Sequence, residues 1–161
     1  MKKSWKILVT IIIVIIIVVI TDIIYCKTVK VEPNDLYLTN KETNETIKAT
    51  RGGYSWKERG ILREINVIAD ALGPTSFDYT KIMKTKVGNK IYFDDYEWTN
   101  VSASVILQKD RTEIAKVPIQ SNLEENYIVI PDMTDGEYII QINLESDNGE
   151  VWYSAKININ K

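Results

Sequence analysis

The stretch IYFDDYEW is the part of the chain with the strongest chemical character of a binding surface. Alternate side chains of a β-strand point to the same face. A strand here places three aromatic rings and one carboxylate together, a platform on which a sugar or a peptide side chain can stack. The members of this predicted platform are Tyr92, Asp94, Tyr96 and Trp98. The alternative is that some rings cap the core and Asp94 ends the strand.

A second candidate for ligand contact is Trp152, which falls on the polar side of the last predicted strand. Its neighbours Val151 and Tyr153 belong to the apolar side. A large aromatic side chain on a polar face indicates contact with a partner or with an edge loop. The alternative is partial burial under a neighbouring loop.

The twin glycines of RGGYSW pose the question of a ligand loop. A phosphate-binding loop needs more glycines at set spacing and a helix start behind them, and neither is present. Tyr54 and Trp56 lie two residues apart, so a strand directs both rings to one face. Gly52 and Gly53 then mark a bulge or the close approach of another backbone. We interpret Arg51 and these residues as a structural motif.

Acidic residues cluster at two further places, but with the wrong spacing for a calcium loop, which needs alternating oxygen ligands and a closing bidentate acid. Turn chemistry accounts better for the acids after Asp132. Asp70 lies just before Gly73 and Pro74, and we interpret it as a turn acceptor. We therefore predict no metal site, no catalytic residue and no cofactor. The two clusters comprise Asp94, Asp95 and Glu97, and Glu124, Glu125, Asp132 and Asp135.

Composition excludes several classes of protein. The 161 residues contain no histidine, which removes His-based acid/base catalysis, Ser-His-Asp triads and imidazole zinc sites. Beyond residue 26 the chain has 17 basic and 21 acidic residues, a net charge of −4. A nucleic-acid partner needs an excess of clustered cations, so none is predicted. The single cysteine, Cys26, cannot form an internal disulfide.

The first 25 residues predict a membrane anchor. Residues 7–25 are almost wholly apolar, and as a helix they span roughly 28 Å, close to the ~30 Å hydrocarbon core of a bilayer. Lys2, Lys3 and Lys6 favour a cytoplasmic N-terminus and place the rest of the chain outside the cell. Asp22 is costly in lipid but lies near the outer end of the span.

Two alternatives to an uncleaved anchor stay open. A cleaved secretory signal needs small residues at its cleavage site, whereas Ile23, Ile24 and Tyr25 are bulky. A lipoprotein would be cut before Cys26, and Tyr25 fits that cleavage box poorly. All three interpretations place the domain on the outer face of the membrane.

Alternating hydrophobicity in the C-terminal half predicts two β-hairpins. The first has Val101 to Leu107 and Ala115 to Ile119 as its strands. The second joins strands around the turn SDNG, where Gly149 can adopt positive φ. Each hairpin has one apolar face, so a second sheet must cover them. The apolar faces of the second hairpin are Tyr138, Ile140, Ile142 and Leu144, and Val151, Tyr153, Ala155, Ile157 and Ile159.

The segment from Ile61 to Leu72 is compatible with two structures. Its apolar residues fall at helical spacing, with Gly73 and Pro74 as a helix stop. Ile65, Val67 and Ala69 also alternate as in a strand. We favour the strand.

The succession RGGYSW, ADALGP, VGNKIYF and DGEYIIQI…NGEVWYSAKI resembles an uncharacterised family of small Gram-positive surface proteins, anchored by a membrane helix or by lipid. The shared pattern is Arg-Gly-x-Tyr-x-Trp, then Ala-Asp before a proline, then a terminal Gly-x-Tyr hairpin, over roughly Lys48 to Ile159. The resemblance implies an immunoglobulin-like β-sandwich with a tethered N-terminus. It brings no activity, cofactor or catalytic residue.

The predicted organisation is therefore an all-β, immunoglobulin-like sandwich behind one transmembrane helix. Residues 1–6 are cytoplasmic, 7–25 span the membrane, 26–46 form a spacer and first strand, and 47–161 form the sandwich. We predict a membrane-tethered binding module that is not an enzyme. Its partner is the lipid bilayer together with an envelope protein, a wall polymer or a peptide. The residues expected to bind it are Tyr92, Asp94, Tyr96, Trp98 and Trp152.

Two other functions stay open. One is an accessory subunit whose helix docks on another membrane protein while the sandwich serves as a spacer. The other is a hydrolase that uses Asp or Glu, which needs two carboxyl groups roughly 5–10 Å apart in a cleft.

Overall fold

A computed structural model describes residues 2–93, 99–107, 113–117, 119–121 and 126–160. One helix, α1 (Lys2–Thr28), precedes twelve strands in this part of the chain. The strands are β1 (Tyr37–Asn40), β2 (Glu45–Lys48), β3 (Thr50–Arg59), β4 (Glu64–Ala69), β5 (Ile82–Thr85), β6 (Lys90–Phe93), β7 (Asn100–Leu107), β8 (Glu113–Val117), β9 (Ile119–Ser121), β10 (Asn126–Val129), β11 (Gly136–Ser146) and β12 (Gly149–Ile159).

The strands form two sheets that pack face to face. The five-stranded sheet has the order β2-β1-β6-β10-β9, with every neighbouring pair antiparallel. The seven-stranded sheet has the order β4-β3-β12-β11-β7-β8, and β5 joins it by pairing parallel to β12. The expected mostly β domain with a covering second sheet is confirmed.

Alternation along β11 and β12 builds one side of the core. The predicted inward-facing residues of both strands are all buried. The five-stranded sheet supplies the opposite side through Leu38, Ile91 and Ile128, which are also buried. The predicted pairings of β7 with β8 and of β11 with β12 are confirmed. The prediction that Ile119 continues the strand of Ala115 is wrong, because Ile119 belongs to β9 and pairs with Ile128 in the five-stranded sheet.

Gly149 is required by the turn of the second hairpin. Its φ is 143°, a region that L side chains rarely adopt. A Cβ atom here would also lie 2.0 Å from the carbonyl oxygen of Ser55. The turn predicted at SDNG is therefore confirmed together with its glycine.

The ambiguous segment after Gly60 is a strand. β4 pairs antiparallel with β3 from Tyr54↔Ala69 to Arg59↔Glu64, so the helical alternative is wrong. The alternating residues Ile65, Val67 and Ala69 are half-buried, whereas Ile68 is 75% exposed. Local apolar spacing fitted both structures, and pairing with β3 decides between them.

Helix α1 is long and apolar enough over Ser4–Thr28 to cross a membrane, and its most apolar 18 residues have a mean hydropathy of 3.4. A signal sequence has the same properties. Almost every apolar side chain of the helix is exposed, and the protein itself does not cover this surface. The exception on the helix is Asp22, which is only 2% exposed.

Asp22 joins the helix to the tip of the β3–β4 hairpin. Its Oδ1 accepts hydrogen bonds from the backbone amides of Ile61 and Leu62, both 3.0 Å long. Its Oδ2 accepts one from Arg63 Nε at 2.9 Å. A Cβ atom on Gly60 would lie 3.1 Å from Asp22 Oδ1, so this glycine permits the close approach. The chain therefore satisfies this carboxylate from its own folded domain.

Candidate functional site

A cleft of about 440 Å³ opens on the outer face of the seven-stranded sheet. Val151 and Leu144 of β12 and β11 point into the core, so their neighbours in each strand point outward into the cleft. The end of β4 and the residues after it form one wall. The outward-facing and wall residues are Ser55, Ile68, Asp70, Ala71, Asn100, Ser102, Asn143, Glu145, Glu150 and Trp152.

The floor of the cleft is a set of directly opposed polar side chains. Trp152 pairs with Asn143, and Asn143 pairs with Ser102 on the next strand. Asn143 Nδ2 donates to Ser102 Oγ at 3.3 Å, and its Oδ1 accepts from Gln141 Nε2 at 2.9 Å. The strand register therefore fixes a row of amide and hydroxyl groups that can bind a polar ligand.

Three carboxylates surround this floor. Glu145 and Glu150 are register partners on adjacent strands, an arrangement of like charges that destabilises a sheet. Asp70 lies on the wall. Within the described ranges none of the three has an ion-pair partner, and the side chain of Glu145 accepts a single 3.4 Å hydrogen bond, from Asn100 Nδ2. The cleft therefore has a negative potential that attracts cations.

Trp152 forms the aromatic wall, and the twin glycines make room for it. A Cβ atom on Gly52 would lie 2.2 Å from Cε2 of the indole ring, where no atom fits. Gly53 lies under the indole nitrogen and the Ala69 carbonyl, each 3.2 Å from an added Cβ. The motif thus serves close packing, but at Gly52 the approaching group is a side chain and not the predicted backbone.

The bulge predicted at the twin glycines is confirmed. Between the pairs Val151↔Tyr54 and Tyr153↔Arg51, β3 has two residues, Gly52 and Gly53, opposite the single residue Trp152 of β12. The indole of Trp152 lies against Gly52 at this point.

A loop after β4 covers the other side of Trp152. Phe77 contacts the indole with ring centroids 5.7 Å apart. Tyr79 fixes this loop through its hydroxyl, which lies 2.5 Å from the Pro74 carbonyl and 2.8 Å from Ser154 Oγ. Burial raises the pKa of Tyr79 above its usual value, so the hydroxyl keeps its proton at neutral pH. Trp152 is half-buried, which agrees with the alternative of partial burial, and it also lines the cleft.

Tyr92, the member of the predicted aromatic platform that the structure describes, is not part of this cleft. Tyr92 lies on β6 in the five-stranded sheet, between the buried Ile91 and Phe93, and therefore faces the opposite outer surface. There its ring stacks near Tyr127 at 5.4 Å and lies 3.9 Å from Lys41 Nζ. Asp94, Tyr96 and Trp98 lie outside the described residues. The structure thus separates Tyr92 from Trp152.

The other residues of the RGGYSW motif have structural contacts. Tyr54 and Trp56 pack against the core, as predicted. Arg51 forms an ion pair with Glu32, 2.9 Å from Nη2 to Oε2, and also donates to the Pro33 carbonyl. It thereby ties β3 to the segment that follows the helix.

Asp70 was expected to accept a hydrogen bond in a turn. In the described part of the chain its carboxylate has no such bond, and it lines the cleft instead. Phe77 and Tyr79 were missed by sequence reasoning. The two aromatic residues alternate in SFDYT, a pattern that indicates a shared face. The pattern does not indicate that this face covers Trp152.

The arrangement suits cation binding better than metal or acid catalysis. No group of three potential metal ligands occurs among the residues described. The carboxylates of Glu145 and Glu150 satisfy the condition of two acids in one cleft, but both side chains are exposed. Burial in an apolar pocket is a common way to keep a catalytic acid protonated, and neither of these exposed side chains is buried.

Comparison of the chain with protein-family models, curated proteins and solved structures finds no match. The function must therefore be argued from the geometry of the site.

Proposed function

We propose that this protein is a membrane-tethered extracytoplasmic binding module and that its cleft takes a basic segment of a polypeptide. One observation carries the proposal: three carboxylates with no ion-pair partner among the described residues surround a half-buried indole above a polar floor. Lysine and arginine side chains match both features, because they neutralise carboxylates and pack against aromatic rings.

The dimensions of the cleft support a short segment. Its volume of about 440 Å³ lies within the range of small-ligand sites and holds one or two long side chains. Asn100, Asn143 and Ser102 offer donors and acceptors for the backbone of such a segment. A neutral wall polymer uses the indole and the amides but leaves the three carboxylates without a role, so we favour the peptide.

The proposed location depends on α1 remaining attached. Three lysines before an apolar span favour an N-terminus in the cytoplasm. The contacts of Asp22 with Ile61, Leu62 and Arg63 support an uncleaved helix over cleavage or lipidation at Cys26, because either form of processing removes Asp22. The face-to-face sheets are compatible with the immunoglobulin-like topology implied by the family resemblance. That topology and the Gram-positive envelope implied by the same resemblance both belong to the proposal.

The test uses the full chain in detergent or nanodiscs and a fluorescent peptide with several lysines and arginines, against an acidic peptide of equal length. Trp152→Ala should weaken binding about 5–30-fold, equivalent to about 1–2 kcal/mol for an aromatic contact at a hot spot. Tyr92→Ala, on the opposite face, is the matched control and should leave affinity unchanged. Equal affinity for both peptides, or loss of binding only in the Tyr92 variant, would contradict the assignment to the cleft.

A further inference from the structure

The β3–β4 hairpin extends beyond the rest of its sheet toward the membrane side. Pairing of β3 with β12 ends at Trp56↔Gly149, where the β11–β12 hairpin turns. Beyond that point Lys57 still donates its backbone N–H to the Asn148 carbonyl of this turn, at 2.7 Å, and Glu58 and Arg59 pair only with β4. The tip of this projection, residues 60–63, is the part of the domain that α1 contacts through Asp22. The hairpin tip therefore lies beside the outer part of the helix.

The position of Asp22 along α1 sets the depth of the tip. A helix rises about 1.5 Å per residue, so Asp22 lies about 22 Å beyond Ile7, short of the ~30 Å needed to cross the hydrocarbon core. Residues 23–25 continue the apolar run. If the helix spans the membrane, Asp22 and the hairpin tip lie at the outer boundary of the hydrocarbon.

A carboxylate at this depth needs donors from the protein, because lipid supplies none. The tip supplies two backbone amides and one guanidinium, and Asp22 is correspondingly enclosed at 2% exposure. Gly60 lets the two elements approach. Asp22 and the tip therefore fit one another at a depth where an unpaired Asp would be costly.

The same tip presents two large apolar side chains outward. Ile61 is 56% exposed and Leu62 is 58% exposed, values close to those of the lipid-facing isoleucines of α1. Their backbone amides bind Asp22, so both residues lie beside the helix, whose own apolar side chains are exposed. Arg63 is half exposed beside them, long enough to bind Asp22 and reach toward the headgroups.

We propose that the tip of the β3–β4 hairpin inserts Ile61 and Leu62 into the outer leaflet, held there by Asp22, so that the domain contacts the membrane at two points. This inference rests on the proposed membrane anchoring by α1. Two-point attachment limits the tilt of the sandwich and gives the cleft a fixed orientation above the bilayer.

The experiment measures the depth of residue 62 in lipid. The full chain with Cys26→Ser and Leu62→Cys is labelled with an environment-sensitive fluorophore and reconstituted into phosphatidylcholine vesicles that contain lipids with quenchers at defined acyl positions. An inserted tip should be quenched best by a shallow acyl quencher, about 5–10 Å below the headgroups. The matched control is Thr43→Cys in the same background, on the exposed turn between β1 and β2. It should show no quenching by any acyl position.

Adding Asp22→Asn to the Leu62→Cys chain should reduce quenching toward the level of the Thr43→Cys control, since the charged link to the hairpin is lost. Resistance of each variant to limited proteolysis verifies that the sandwich is folded.

Alkaline extraction of the vesicles tests the anchor separately. Extraction of the unlabelled wild-type chain would overturn the anchoring itself. A chain that stays in the membrane while residue 62 is not quenched would overturn the insertion alone, and would instead favour contact of the tip with another membrane protein.

Discussion

Two groups of carboxylates on this protein have opposite surroundings. On and after the apolar helix, Asp22 accepts three hydrogen bonds from the hairpin tip, and Glu32 is paired with Arg51 and Lys30. In the cleft, Asp70, Glu145 and Glu150 have no ion-pair partner within the described ranges. The first group holds parts of the chain together. The second group is available to a ligand, although Glu145 and Glu150 repel one another across the sheet. Unpaired charges kept at a cost in stability are expected on a surface that binds a ligand.

Filling the space under Trp152 tests the structure of the cleft and leaves the carboxylates of Asp22 and Glu32 unchanged. Gly52→Ala should lower the free energy of unfolding by about 1–3 kcal/mol, because the new methyl group overlaps the indole and forces it to move. Chemical denaturation of the full chain in detergent measures the change. Basic-peptide binding should fall in the same variant, since the aromatic wall is displaced.

Gly73→Ala is the matched control for this prediction. An added Cβ there meets nothing within 4 Å, and its φ of −58° suits any residue. It should be neutral, or stabilising by about 0.4–1 kcal/mol through the unfolded state. Equal losses in both variants would show that Gly52 does not serve the packing of Trp152.

Removing the charges of the cleft should separate stability from binding. In the double variant Glu145→Gln and Glu150→Gln, the cross-strand repulsion disappears, so stability should rise by about 0.2–1 kcal/mol. Affinity for the basic peptide should fall, and its dependence on salt should weaken because fewer charges attract the ligand. Parallel thermal unfolding and peptide titrations at low and moderate salt measure both effects.

Glu42→Gln on the β1–β2 turn removes a carboxylate far from the cleft and is the control for net charge. It should change neither affinity nor its salt dependence. A double cleft variant that is less stable than the wild type and binds as well would mean that Glu145 and Glu150 support the sheet and not a ligand.

The sequence predicted those parts of the fold that depend on local alternation. The inward faces of β11 and β12, the two C-terminal hairpins and the turn at Gly149 all follow from a period of two and one glycine. The contacts of the site depend instead on pairing between distant segments. The packing of Trp152 on Gly52 requires the register of β12 against β3, and the partners of Asp22 lie about 40 residues away.

The same limit explains why the sequence did not separate Tyr92 from Trp152. Tyr92 and Trp152 are both outward-facing aromatic residues, and strand periodicity treats them alike. Only the assignment of β6 and β12 to different sheets separates them. A single strand pattern shows which side chains share a face, but not which of the two outer surfaces that face belongs to.

The smallest expected effect concerns acid stability and Glu32. The hydrogen bond from Lys30, with the charges of Arg51 and Lys30, holds the pKa of this carboxyl below its usual value, against the opposing effect of desolvation. A lowered pKa in the folded state means that the unfolded chain binds the proton more readily. The contribution of Glu32 is therefore complete above the ordinary carboxyl pKa of about 4.3 and is lost as the pH falls through the lower folded value.

Glu32→Gln should accordingly reduce stability at neutral pH by a few tenths to about 1 kcal/mol, as expected for a partly exposed pair. The difference from the wild type should vanish at acid pH, where Glu32 is already protonated. Glu150→Gln serves as the comparison from the cleft, because that side chain has no cation partner among the described residues to lose. The measurement is the unfolding of both variants between pH 3 and pH 7. If Glu150→Gln showed the same pH-dependent loss of stability as Glu32→Gln, both carboxylates would be paired in the folded state. That result would contradict the contrast between the two groups.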